Sequence, residues 1–227
     1  MKQGMVKTFT DRFPFVGPIF WMVSFQYYLA QLIVAAAWTI PYSITINTIS
    51  DLGNTVCGIY NGRYVCSPRH ALMNVSFVTL GITMMIGAVL IYQEFRENLG
   101  GLIGFSFMGL AGLGTILVGL FPENVNATWH QLGAALPFFV GNLSMIILGL
   151  SLDIPRPLKI YTLFSGFISL TAAVLFTSHH FLSLGGGGME RIAAYPQTMW
   201  IIVFGLYIST NHLKAANQAD LSANIKS

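Results

Sequence analysis

The side chains that could do chemistry in this sequence collect in the polar segments between its apolar stretches. Five are the candidates for catalysis: Asp51, His70, His130, Glu190 and Arg191. Imidazole and carboxylate groups can act as general acids and bases. Asp51, His70 and His130 could instead bind zinc, which lowers the pKa of a bound water to about 7 and so supplies a hydroxide nucleophile. A guanidinium such as that of Arg191 could bind a phosphate through two parallel hydrogen bonds.

A second group of side chains lies in the same segments and is expected to bind substrate. His70 and Asn74 are four residues apart and therefore share one face of a helix. An asparagine within an apolar helix needs a hydrogen-bonding partner or a wet cavity. The predicted substrate-binding residues are Asn74, Glu123, Asn124, Tyr195 and Trp200.

Several of these polar groups also have a purely structural interpretation, which the sequence leaves open. Asp51 could cap a helix or a turn, because a carboxylate accepts hydrogen bonds from backbone amides. Ser67 before Pro68 is typical of a helix N-cap. Arg191 could brace the loops by holding Asp51 or Glu123, with the four glycines at 185–188 forming a flexible turn.

Composition indicates which elements must position these residues. The chain is 54% apolar and 8% charged, whereas soluble domains carry about 25% charged residues. Six apolar stretches are long enough for a helix to cross about 30 Å of hydrocarbon. The connections between them are mostly short, which favours an up-and-down bundle. We therefore expect an all-α, polytopic membrane protein with a single domain, 1–227. Its predicted spans are Phe15–Ile40, His70–Tyr92, Leu102–Phe121, Gln131–Leu152, Ile160–Thr177 and Gln197–Leu213.

The eleven Lys and Arg residues predict the orientation of the bundle. With both termini in the cytoplasm, eight of them lie inside, and only Arg63, Arg69 and Arg191 lie outside, in agreement with the positive-inside rule. This orientation predicts a cytoplasmic tail at 214–227 and puts the candidate site on the outer face of the cell inner (plasma) membrane. The first apolar run is too long for a cleaved signal peptide, so we expect it to remain as a helix. The scattered basic residues do not form a nucleic-acid-binding patch.

The two cysteines, Cys57 and Cys66, are predicted to form a disulfide. Both fall in the first outer connection, where an oxidising compartment permits the bond. Asn61-Gly62 between them is a strong signal for a tight hairpin turn. A metal held by the cysteine pair stays open as the minor alternative.

Two spans carry residues that disturb an ordinary helix. The third contains five glycines, which favour close packing against neighbouring helices, so we expect this span to be central. Pro137 lies within the fourth span, where it removes one backbone hydrogen bond and predicts a kink.

The polar segments contain a recognisable set of strings. They are Ser50-Asp51-Leu52-Gly53-Asn54, Ser67-Pro68-Arg69-His70 with Asn74, Gly119-Leu120-Phe121-Pro122-Glu123-Asn124, His130-Gln131-Leu132-Gly133-Ala134, and Glu190-Arg191 with Tyr195-Pro196 and Trp200. As a set they resemble the domain-of-unknown-function 998 family of prokaryotic membrane proteins. The resemblance covers nearly the whole chain, from the end of the first span to the last. It implies a six-helix integral membrane protein and implies no particular activity.

These residues lead us to expect a polar pocket in which a membrane lipid or lipid-linked substrate is hydrolysed or transferred. The alternatives are a small-molecule transporter or binding protein, and a non-catalytic assembly factor. No ionisable residue lies clearly at the middle of a span, which argues against an ion or proton path. A haem held by His70 and His130 also stays open, although the sequence has no haem-attachment motif.

Overall fold

A computed structural model describes residues 12–226 of the chain and shows a bundle of helices. Six of them are long and apolar enough to cross a membrane. The prediction of an all-α, six-helix membrane protein is confirmed. The helices are α1 (Val16–Ala35), α2 (His70–Tyr92), α3 (Leu99–Leu120), α4 (Ala127–Ser151), α5 (Arg156–Thr177) and α6 (Gly185–Lys226).

The ends of the first and last helices differ from the prediction. Helix α1 stops at Ala35, and residues 36–49 instead form an extended connection with turns. Helix α6 begins twelve residues before the predicted Gln197 and continues through the described part of the expected tail. Hydropathy identifies only the part of a helix that lies in lipid. It therefore does not detect the polar turns by which α6 extends beyond the lipid.

Two of the spanning helices are interrupted. Helix α1 loses its regular hydrogen bonds at Ser24 and Phe25. Helix α4 contains a π-helical turn over Leu136–Gly141. Pro137 has no N–H group and cannot make the usual α-helical hydrogen bond. The π-helical turn accommodates this missing bond. A kink was predicted at Pro137, and the structure has a π-helical turn there.

Helix α3 is held between α2 and α4 by glycines, as its composition predicts. A Cβ atom on Gly112 would lie 2.6 Å from the carbonyl oxygen of Gly81 in α2. A Cβ on Gly133 in α4 would lie 2.8 Å from the carbonyl oxygen of Gly114. A larger residue at these points would push the helices apart, so the glycines allow the backbones to touch.

The core of the bundle is aromatic and its periphery is apolar. Trp21 and Trp200 are fully buried, with ring centroids 5.5 Å apart. By contrast Leu32, Leu150 and Phe164 are each at least 65% exposed. A ring of exposed apolar side chains around helices of this length is the surface expected to meet lipid.

The connection between α1 and α2 carries a short 3₁₀ helix, Ser50–Gly53, and a two-stranded hairpin. Strands β1 (Gly58–Tyr60) and β2 (Arg63–Val65) pair in antiparallel register, with Gly58 opposite Val65. Asn61 and Gly62 both have positive φ, 47° and 76°, which is the geometry of a tight hairpin turn. The hairpin and its turn are as predicted.

The predicted disulfide between Cys57 and Cys66 is also present and joins the two ends of the hairpin. Because successive helices run in opposite directions, the connections 36–69, 121–126 and 178–184 all lie at the same end of the bundle. We call this end the disulfide end.

Candidate functional site

The carboxylate of Asp51 is the best-bound polar group of the disulfide end. It is completely buried. Arg63 donates to both of its oxygens, each at 2.7 Å. The backbone N–H of Thr48 donates to Oδ2 at 2.9 Å, and the amide of Asn47 donates to the same oxygen. With these donors in place, Asp51 has the surroundings of a structural anion rather than those of a metal ligand or a base.

Arg63 is a residue of the candidate site that the sequence alone did not reveal. It lies on β2, directly after the Asn61-Gly62 turn, and the disulfide-linked hairpin carries its guanidinium over Asp51. The brace predicted for Asp51 exists, but Arg191 does not supply it. One sequence feature could have indicated this role. Arg63 directly follows a tight turn, and the turn determines where the first side chain of the returning strand lies.

Arg191 binds the backbone of the connection before α2. Its Nη1 donates to the carbonyl oxygens of Ile44, Asn47 and Gly187 at 2.8–2.9 Å. Its Nη2 donates to the hydroxyl of Tyr42, and its charge lies 5.5 Å from the centre of the Tyr42 ring. These contacts correct the expectation that Arg191 holds Asp51 or Glu123. They also leave few of its donors for a substrate phosphate.

The four glycines before Glu190 are not a flexible turn. They form the first turn of α6, and the N–H of Gly187 donates to the carbonyl oxygen of Thr45 at 2.9 Å. A Cβ atom on Gly187 would collide with the carbonyl oxygen of Asn47. The glycines let the start of α6 lie directly against the backbone of residues 44–47.

Glu190 is buried at this contact, with 4% of its surface exposed. One carboxylate oxygen accepts from the backbone N–H of Ile49. The other accepts from the hydroxyl of Ser50 at 3.1 Å. A carboxylate is favourable at the start of a helix because it satisfies free N–H groups. Glu190 thereby fixes the beginning of the 3₁₀ helix and the side chain of Ser50 together.

His130 faces Ser50 from the other side. Its Nε2 lies 3.0 Å from the Ser50 Oγ, and its Nδ1 lies 2.9 Å from the carbonyl oxygen of Phe121. A carbonyl oxygen can only accept, so Nδ1 carries a proton, and in the neutral ring Nε2 is an acceptor. The serine has one hydroxyl proton. Glu190 accepts it in the structure, and the hydroxyl has to rotate for the His130 Nε2 to accept it instead.

Ser50 is a second candidate site residue that the sequence alone did not reveal. The one sequence feature that could have indicated it was its position directly before Asp51. That segment had been considered for the carboxylate of Asp51 and not for the serine. A serine and a histidine at this distance, with the histidine oriented by a third group, form the arrangement that activates a hydroxyl nucleophile.

Ser50 and His130 both line a cleft of about 1050 Å³ at the disulfide end. The cleft has a polar part and an aromatic part. The polar part includes Thr48, Ser50, Asn61, Arg63, Glu123, His130, Gln131 and Glu190. The aromatic part includes Phe138, Phe139, Phe176 and Phe181, contributed by α4, α5 and the connection between α5 and α6. Such a cleft is chemically suited to a molecule with a polar and an apolar portion.

The predicted zinc ligands do not form a metal centre. In residues 12–226, no group of three or more His, Cys, Asp or Glu side chains is placed to hold a metal ion. The Nδ1 of His70 lies 3.0 Å from the carbonyl oxygen of Ser67 in its own turn. Asp51 is bound by Arg63, and both ring nitrogens of His130 have protein partners. The residues present therefore do not fit zinc, and haem bound between His70 and His130 is equally unsupported.

Two of the predicted substrate-binding residues fasten the connections instead. The amide of Asn74 donates to the carbonyl oxygen of Gly53 at 2.9 Å. Asn124 accepts from the N–H of Thr55 at 3.1 Å and donates to its hydroxyl at 3.0 Å. Both asparagines hold the segment that follows Ser50.

Three further predicted residues have different surroundings. The hydroxyl of Tyr195 donates to Gln31 at 2.7 Å and so joins α6 to α1. Trp200 is in the aromatic core, where its Nε1 donates to Thr162 at 2.7 Å. Glu123 does line the cleft.

Ser67 has a contact that corrects its predicted role. Its hydroxyl donates to the carbonyl oxygen of Leu52 at 2.7 Å, and α2 begins at His70 without a side-chain cap. The serine holds the start of α2 against the 3₁₀ helix rather than capping α2.

The fold and the site together define the class: a multi-pass membrane protein of six spans with a polar, partly aromatic cleft at one end. A family model described as "Protein of unknown function (DUF998)" matches residues 22–207. The chain belongs to that family, which confirms the resemblance seen in its polar segments. No curated protein and no solved structure matches the chain.

The ion pair between Arg63 and Asp51 gives a first prediction. Replacement of Arg63 by Gln leaves the buried Asp51 carboxylate without a counter-charge, which costs about 3–5 kcal/mol of folding free energy. Chemical or thermal unfolding in detergent micelles measures the loss. The double variant Arg63→Gln/Asp51→Asn should recover part of it. Arg69→Gln, at an exposed position in the same connection, is the control, and an equal loss in that variant would contradict the assignment.

Glu123 gives a second prediction, on pH. Burial, together with the neighbouring carboxylate of Asp51, raises the pKa of Glu123 to about 9. An unfolded glutamate has a pKa of about 4.3. Between these values the folded protein keeps a proton that the unfolded chain has released, so this group makes stability fall as the pH rises.

The variant Glu123→Gln removes that proton and its pH dependence. Its unfolding temperature should match that of the parent near pH 4 and exceed it increasingly up to pH 9. Glu97→Gln, at an exposed position, should follow the parent throughout. Parallel curves for Glu123→Gln and the parent would show that Glu123 is ionised in the folded protein.

Proposed function

We propose that this protein is an acyl hydrolase or acyltransferase that acts on a membrane lipid or lipid-linked ester, with Ser50 as nucleophile and His130 as base. The observation that carries the proposal is the 3.0 Å distance from the Ser50 Oγ to the His130 Nε2, in a ring whose other nitrogen donates to Phe121. Both side chains border the cleft, so a bound ester can approach them.

The proposed reaction has two balanced steps. In the first, the Ser50 Oγ forms a bond to the ester carbonyl carbon, and its proton passes to the His130 Nε2. The bond to the leaving oxygen then breaks, and His130 gives that oxygen the proton. In the second step, water or an acceptor hydroxyl attacks the acyl carbon, the bond to Oγ breaks, and Ser50 regains its proton through His130.

Glu190 acts as a positioning residue in this scheme. It holds the Ser50 hydroxyl and the Ile49 N–H with its two oxygens. Because Glu190 fixes the start of the 3₁₀ helix, it keeps Oγ within reach of His130 before substrate arrives. Asp51 and Arg191 were predicted to be catalytic. In this scheme they hold the backbone next to Ser50, through Thr48 and Asn47 respectively.

The two-part cleft supports a lipid or lipid-linked substrate. The four phenylalanines can bury an apolar chain, while Asn61 and Gln131 provide amide groups for a polar head. The cleft volume of about 1050 Å³ lies just above the range of typical ligand pockets, about 300–1,000 Å³.

The proposal extends to orientation, with the disulfide end outside the plasma membrane and both termini in the cytoplasm. A disulfide persists in an oxidising compartment, and the excess of Lys and Arg lies at the opposite ends of the spans. An impermeant maleimide should label a cysteine introduced at exposed Ile59 from outside intact cells. Labelling only after lysis would reverse the orientation.

The activity itself gives the next prediction. Purified protein in nanodiscs should hydrolyse p-nitrophenyl butyrate, a simple activated ester. Ser50→Ala should abolish this turnover, and His130→Gln should lower it by about 10²–10⁴-fold, the usual contribution of a general base. His70→Gln is the matched control and should keep the parent rate, since the Nδ1 of His70 contacts the carbonyl oxygen of Ser67 in its own turn.

Thermal unfolding of each variant separates chemistry from folding. A folded Ser50→Ala variant with undiminished turnover would overturn the proposed nucleophile. Loss of turnover in His70→Gln as well as in His130→Gln would return the metal-site hypothesis to consideration.

A further inference from the structure

A second, smaller cavity lies inside the bundle next to Ser50. Its volume is about 50 Å³. It shares Ser50, Ala134, Phe138 and Glu190 with the cleft, so these four residues separate the two spaces. We call it the inner cavity. The proposed nucleophile thus stands at the junction of a large cleft and a small cavity.

The inner cavity is lined by residues of α1, α2, α3, α4 and α6 and of the connection before α2. Phe77, Leu80, Met84 and Val118 belong to its apolar wall, and Glu190 and Gln197 are among its polar lining residues. Because apolar side chains provide most of the wall, the cavity can hold a short apolar group.

The volume limits what can enter. About 10–15 Å³ of cavity is needed for one water-sized group. A cavity of about 50 Å³ therefore accepts roughly three to five such groups. A short acyl group fits that space, and a long fatty acyl chain does not.

We propose that the inner cavity is the acyl-group site of the enzyme and selects acyl groups of two to four carbons. This inference rests on the proposed function. When Ser50 Oγ bonds to an ester carbonyl carbon, the two spaces that meet at Ser50 can take the acyl group and the alcohol of that ester separately. The cleft, with its aromatic part, takes the larger lipid-like alcohol, and the inner cavity takes the acyl group. The substrate class is thus a short-chain acyl ester of a lipid or lipid-linked alcohol.

A series of p-nitrophenyl esters tests the assignment in nanodiscs. The acetate and butyrate should have the highest kcat/KM, and each further methylene should cost on the order of tenfold, as in other closed apolar pockets. Octanoate and palmitate esters should therefore be very poor substrates.

Variants of the inner cavity should move this preference. Val118→Phe fills the space and should favour acetate over butyrate, while Leu80→Ala enlarges it and should extend turnover to hexanoate. Phe139→Ala is the control, because Phe139 lines the cleft and not the inner cavity. It should leave the acyl-chain preference unchanged. The use of one filling and one enlarging variant keeps the test valid if either fails to fold.

The possible outcomes separate this inference from the proposed function. Turnover that depends on Ser50 but rises through octanoate and palmitate would place the acyl chain in the cleft and overturn the inner-cavity assignment alone. Unchanged chain preference in both Val118→Phe and Leu80→Ala would do the same. Absence of any turnover that depends on Ser50 would overturn both.

Discussion

The buried carboxylate of Asp51 is the contact on which the disulfide end depends. It accepts hydrogen bonds from Arg63, Thr48 and Asn47, and so joins three parts of one long connection. Arg63 is delivered by a hairpin that the disulfide closes. A buried carboxylate without these donors would be costly, so the connection has one strongly favoured arrangement. Ser50 precedes Asp51 in the same 3₁₀ helix, and its position follows from this arrangement.

The charged residues of the site and its neutral residues have different tasks. Arg63 pairs with Asp51, and Arg191 donates to backbone carbonyl oxygens of the connection before α2. These contacts hold the polypeptide in place. Ser50 and His130 contact each other at 3.0 Å, line the cleft and are the residues that we propose to react. Glu190 belongs to both groups, because it anchors Ile49 while it contacts the Ser50 hydroxyl.

The sequence predicted the features that depend on local chemistry. Hydropathy located six spans, Asn61-Gly62 located the hairpin turn, and glycine content indicated the packing of α3. It failed where distant parts of the chain meet. The partner of Asp51 depends on where a hairpin folds, and the glycines at 185–188 pack against a segment about 140 residues earlier. The role of Ser50 depends on a histidine 80 residues away. Residue type and spacing cannot reveal such contacts.

The central claim is that the Ser50 hydroxyl is a nucleophile activated by His130. Labelling with a fluorophosphonate, which reacts with activated serines, tests it most directly when the modified peptide is identified by mass spectrometry. We expect one label, on Ser50, which is lost in His130→Gln and retained in His70→Gln. A label on a different serine, or a folded protein that turns over esters while Ser50 stays unmodified, would contradict it.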